Sequence, residues 1–132
     1  MLPQNFTTKA REALEAGQIT AVKMNHAEFQ PLHLLAGLLE QPEGTVGAIC
    51  KKIGSDPTAL LKKIQSALEQ LPHNAQESDT AQLMLAQSMI KIFSAAEKTA
   101  TRFSDEYIST EHLLLGILLT NGETKTMLEQ GG

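Results

Sequence analysis

The sequence predicts an all-α protein of about seven helices, built as two tandem helical repeats related by a pseudo-twofold. Two observations carry this prediction. Apolar residues recur at spacings of three and four along most of the chain, and no segment alternates with period two, so no sheet is expected. The phrase "QPLHLLAGLLEQPEG", from Gln30, returns as "STEHLLLGILLTNGE", from Ser109, at an offset of 79 residues (His33 to His112) that becomes 78 after one deletion (Gly44 to Gly122).

The elements follow in order. From about Thr7 to Met24, residues Ala10, Ala13, Leu14, Gly17 and Ala21 form one helical stripe. Thr7 or Thr8 supplies a capping hydroxyl, and Phe6 is placed to staple back onto the first turn. The segment "NHAEFQ" breaks the stripe. Pro31 suits a first helical residue, because its missing N–H costs nothing there. The helix Pro31–Glu40 carries Leu32, Leu34, Leu35, Leu38 and Leu39, too apolar for a surface helix, and "QPEG" ends it. A short helix from Thr45 to Ile53 stops at Gly54. Asp56 then caps, and Pro57 opens, a helix to Leu71. It turns Leu60, Leu61, Ile64, Leu68 and Leu71 inward and Lys62, Lys63, Gln65 and Glu69 outward.

The polar run "PHNAQES", 72–78, reads as a hinge. A long helix is expected from Asp79 or Thr80, with the stripe Leu83, Ala86, Ile90, Phe93, Ala96, Ala100 and Phe103. After "SDEYIS" comes a second apolar helix, Thr110 to Leu119, capped by Ser109. A last helix spans about Glu123 to Gln130.

With His33 set on His112, Ala16 falls on Ala95, Thr20 on Thr99, Ala21 on Ala100 and Gly37 on Gly116. A helical unit that cannot bury its apolar faces alone can bury them against its own copy. The paired mid-helix glycines, each costing ~1 kcal/mol relative to alanine, point to a close helix approach. The expected layout is one domain, 1–132, with repeat one at about 6–71, the hinge at 72–78 and repeat two at about 79–130. Repeat two lacks a counterpart of Pro57–Leu71, so the natural protein is expected to continue.

Composition narrows the function. A net charge of −4 and an aromatic content of 4 per cent disfavour nucleic acid as a partner. The only basic doublets are Lys51–Lys52 and Lys62–Lys63. The single cysteine, Cys50, fits a reducing compartment. The start carries no signal-peptide pattern, and no apolar run approaches the ~20 residues that cross a membrane. A cytoplasmic, membrane-free protein is the expectation.

The segments "FTTKAREAL", "PLHLLAGLLEQPEG" and "YISTEHLLLGILL" resemble the amino-terminal domain of the Clp ATPases, itself a tandem of such repeats. The resemblance spans Phe6 to Gln130. Within it, "GSDPTALLKKIQSALEQLP" looks like the ClpB disaggregase branch more than ClpA or ClpC. The resemblance implies a mobile, linker-tethered module that engages unfolded or aggregated clients and passes them to ATPase rings of a hexameric parent. The alternative it implies is an adaptor-docking domain of a ClpA/ClpC-type unfoldase that feeds a protease. No G-x-x-x-x-G-K-[ST] loop occurs, so ATP and magnesium belong to the parent and this chain needs no cofactor of its own. The isolated domain is expected to be a monomer and not an enzyme.

Thr7, Asp105 and Glu111 match positions that the resemblance implies take part in client contact. The same residues also have a local reading, with Thr7 and Ser109 as caps and Glu111 complementing the helix dipole. Met84, Met89, Phe93 and Met127 offer adaptable apolar surface for a groove between the halves, or else core filler at helical spacing. His26, His33, His73 and His112 show no metal-ligand spacing. The repeat equivalence of His33 and His112 points to packing or a local hydrogen bond. Cys50 is followed by two lysines, a setting that can lower a thiol pKa, but with no histidine at a recognisable spacing it reads as a small core residue.

Overall fold

The computed structural model describes residues 5–41, 44–52, 54–71 and 84–120. The proposed hinge 72–78, the last helix 123–130, Leu83, His73 and Met127 lie outside them. Six helices and one short strand pair fall within them.

Thr7 caps the first helix, α1 (Thr8–Lys23), its hydroxyl accepting from the Ala10 N–H at 3.1 Å. The five stripe residues from Ala10 to Ala21 are all buried. A two-residue strand, β1 (Glu28–Phe29), leads into α2 (Pro31–Glu40), in which every residue from Leu32 to Leu39 is buried. That enclosure explains its composition: each buried leucine contributes about 1.5–3 kcal/mol. α3 (Thr45–Lys52) is followed by Gly54 at φ 86°, the left-handed conformation that ends a helix cheaply only at glycine. Asp56 caps α4 (Pro57–Glu69) by accepting from the Thr58 N–H at 3.0 Å. Leu60, Ile64 and Leu68 are buried there, while Leu61 and Leu71 are half-buried. The second half contains strand β2 (Met84–Leu85), α5 (Gln87–Arg102) and α6 (Thr110–Leu119).

The offset of 79 residues holds in three dimensions. α1 maps onto α5 and α2 onto α6 residue for residue, and each pair packs together in the same way. Gly37 makes this contact possible: a Cβ there would stand 2.3 Å from the Ala13 carbonyl oxygen. At Gly116 the equivalent Cβ would stand 2.7 Å from the carbonyl of Ile92, the repeat partner of Ala13. The paired glycines therefore mark backbone-to-backbone helix crossings, as the sequence predicts.

The strands correct the expectation of no sheet. β1 and β2 pair in parallel, with Phe29 opposite Leu85. Phe6 forms the matching bridge with Ile108. Phe6 and Leu85 are repeat equivalents, as are Phe29 and Ile108, so each half lends its leading segment to the other. The Thr7 N–H donates to the Ile108 carbonyl at 2.9 Å, and the Ala86 N–H to the Phe29 carbonyl at 3.2 Å. These crossed bonds make the pseudo-twofold explicit.

The start of α5 is also corrected. Met84 and Leu85 are extended because their backbone is spent on β1, so the helix opens at Gln87 with Ala86 as its cap. The stripe shifts with it. Met89 and Ile92 are buried beside Phe93, Ala96 and Ala100, whereas Ile90 is 46% exposed and Phe103 61%. Phe6 packs edge-on against Phe93, ring centroids 5.8 Å apart, joining the start of α1 to α5.

Candidate functional site

Three sequence-predicted residues, Thr7, Asp105 and Glu111, are connected through the Phe6–Ile108 bridge. Ile108 donates its N–H to the Asn5 carbonyl at 2.8 Å and accepts from Thr7, and the Asn5 side-chain amide donates to the Glu106 carbonyl at 2.6 Å. The start of α1 is thus fastened to the segment that carries Asp105 on one side of Ile108 and Glu111 on the other. Thr7 is half-buried as a cap, and Glu111 is exposed in the first turn of α6, where its charge complements the helix dipole.

Asp105 is placed by a tight turn. Phe103 caps α5, Ser104 takes φ 60°, and the Asp105 N–H returns to the Ala100 carbonyl at 2.8 Å. Its carboxylate Oδ2 then lies 2.9 Å from Nε2 of His112. The Ser109 N–H donates to Nδ1 of His112 at 2.8 Å, so the neutral ring carries its proton on Nε2 and donates it to Asp105. His112 is buried, while half of the Asp105 side chain, 50%, stays exposed.

Serine, histidine and aspartate here stand within hydrogen-bond reach, since Ser109 Oγ is 3.1 Å from Nδ1. They do not make a nucleophilic set. The single in-plane lone pair of Nδ1 is taken by the Ser109 amide, leaving no base for the hydroxyl proton. The arrangement fixes a helix start and a carboxylate.

His33 repeats the pattern, its Nδ1 accepting from the Gln30 N–H at 2.9 Å. The local hydrogen bond expected of the histidine pair is therefore present in both halves. Nε2 of His33 lies 2.8 Å from Nδ1 of His26, a pairing that sequence spacing missed. His33 is pushed down to about 4, first by burial and then by the neighbouring His26. Cys50 is a buried core residue, as its sequence context suggests, and burial raises its thiol despite the two lysines that follow it.

The expected groove residues separate. Met89 and Phe93 are core, and Met84 is exposed beside β1. The apolar side chains that do reach the surface near Asp105 are Phe103 and Tyr107, the latter 58% exposed. The helical period places Phe103 in the inward stripe and does not single out Tyr107, which lies within "SDEYIS".

Residues 5–130 match the profile of the Clp repeat (R) N-terminal domain. The chain belongs to that family. It is 32% identical over 130 residues to the chaperone protein ClpB of Rhodopseudomonas palustris, covering 98% of this chain and 15% of that protein. The Hsp104 N-terminal domain from Candida albicans superposes with a TM-score of 0.85 at 19% identity, over 98% of this chain and 83% of that one. The N-terminal domain of the ClpV1 ATPase from E. coli EAEC is 26% identical with a TM-score of 0.79, over 94% of this chain and 76% of that one. The Clp repeat domain described here thus spans about 15% of the length of the ClpB protein it resembles. Among its described residues, no helix is long and apolar enough to cross a membrane.

Proposed function

We propose that this Clp repeat domain recognises unfolded or aggregated polypeptides for a ClpB-like disaggregase. The observation that carries the proposal is the exposure of two aromatic residues, Phe103 and Tyr107, two positions before and two after the half-exposed Asp105 in the same turn segment. Extended chains offer apolar side chains and backbone N–H donors together, and this edge has a counterpart for each. Thr7, Asp105 and Glu111 are the polar contacts proposed for it. ATP hydrolysis, magnesium binding and hexamer formation belong to the parent protein in this proposal, which acts in the cytoplasm.

A titration of the domain with an unfolded protein, followed by amide shifts, tests the proposal. Perturbations are expected along 103–111 and around Thr7, with micromolar or weaker affinity. An unchanged spectrum at high micromolar client rejects it. Isolation of a single folded partner at one-to-one stoichiometry, in place of many misfolded ones, would point to adaptor docking.

A further inference from the structure

The backbone around Asp105 copies the backbone around His26, and the two side chains meet different fates. Asn25 and Ser104 hold φ 59° and 60°. The next N–H returns to an equivalent carbonyl, His26 to Ala21 at 2.9 Å and Asp105 to Ala100 at 2.8 Å. Each following side chain then reaches the histidine seven residues on. His26 is buried against His33, whereas Asp105 remains half-exposed against His112. One repeat has closed this position into its core, and the other has left a carboxylate at the surface.

We infer that His112 is a positioning residue that holds the Asp105 carboxylate as a fixed acceptor for clients, a role its counterpart His33 does not share. The inference rests on the client-binding proposal above. An aspartate on an exposed turn samples several rotamers and must be ordered on binding. His112 removes that freedom, because its own ring is buried and its Nδ1 is committed to Ser109. Its Nε2–H therefore points in one direction, and a hydrogen bond to a charged acceptor is among the stronger ones. The charged groups sharing this segment are Glu106 and Glu111, while Asn5 and Thr7 across the bridge carry none.

His112→Gln separates cap from clamp. A glutamine at the third helical position can reach back to the Ser109 N–H, so the helix start is kept while Asp105 is released. Reduced, alkylated ribonuclease A serves as a permanently unfolded probe for the 132-residue chain, its His112→Gln and Asp105→Asn variants, and the double variant. His112→Gln is expected to weaken binding about five-fold, Asp105→Asn at least as much, and the double variant no more than Asp105→Asn alone. Losses that multiply overturn the proposal, as does an unchanged affinity for His112→Gln beside a weakened Asp105→Asn. Wild-type affinity in Asp105→Asn overturns the client role of Asp105 itself, and the inference with it. Should His112→Gln fail to fold, imidazole nitrogen resonances decide. The Nε2 signal of His112 should move in Asp105→Asn while that of His33 stays, and an unmoved His112 signal overturns the clamp.

Discussion

His33 Nε2 lies 2.8 Å from His26 Nδ1 with both rings buried, and His33 Nδ1 accepts from the Gln30 N–H, so a proton added to His33 would remove that acceptor. His33 resists protonation down to about 4, whereas an unfolded chain takes up that proton near 6.5. Between these values the unfolded state binds more protons, so acid favours unfolding. The contribution is intact above about pH 7 and erodes as pH falls through the range between 6.5 and about 4, a loss on the order of 1 kcal/mol by pH 5.5 that grows further toward pH 4. Urea melts between pH 7.5 and 5.5 should show this slope. It should flatten in His33→Gln, which keeps a back-bonding side chain at the same helical position.

The glycine crossings give a graded prediction. Gly37→Ala forces a Cβ against a backbone carbonyl 2.3 Å away and should cost about 2–3 kcal/mol. Gly116→Ala, with 2.7 Å of room, should cost less, about 1–2 kcal/mol. Gly47 lies inside α3 with nothing within 4 Å of its added Cβ, so Gly47→Ala should stabilise by about 0.5–1 kcal/mol. Thermal melts of the three variants check the order.

These particulars show what the sequence made legible. Stripe residues of α1 and α2 were readable because helical period and burial agree there, and Gly37 and Gly116 because each breaks helix propensity in the same place. β1 and β2 were not, since two residues are too few to show alternation and their pairing is set by the contact between halves. The shifted stripe of α5 follows from that miss, because the strand fixes where the helix begins. Asp105 was readable only by resemblance. Its contact with His112 depends on the left-handed turn at Ser104, a conformation that serine does not announce.

Cys50 is 3% exposed and its thiol is raised by burial, so labelling by a thiol reagent should require opening of the fold. At pH 8 the native rate is expected to be at least ~100-fold below that of the urea-unfolded chain. Rates in Gly37→Ala should rise in step with its loss of stability. A fast native reaction would place Cys50 in a locally opening segment of α3.

Thr7 separates capping from client contact. Thr7→Ala removes the acceptor for the Ala10 amide and should cost about 1 kcal/mol, while Thr7→Ser keeps it and should melt near wild type. If the hydroxyl also meets clients, Thr7→Ala should weaken unfolded ribonuclease binding at temperatures where the variant is fully folded, and Thr7→Ser should not. Equal affinity in both variants would leave Thr7 a cap alone.

Phe103 and Tyr107 carry the largest stake in the proposed function. Their exposure means truncation removes little core, so Phe103→Ala and Tyr107→Ala should each melt within about 0.5 kcal/mol of wild type. Burial of either ring against a client would stabilise the complex, so each variant should bind about five- to ten-fold more weakly. Ile19 and Val22 provide the control, being 54% and 59% exposed toward the C-terminal end of α1, the opposite end from the Thr7 cap. If truncating them weakens binding as much as truncating the aromatic pair, clients adhere to any exposed apolar group. If only the aromatic pair matters, recognition is confined to the edge where the two repeats exchange their leading strands.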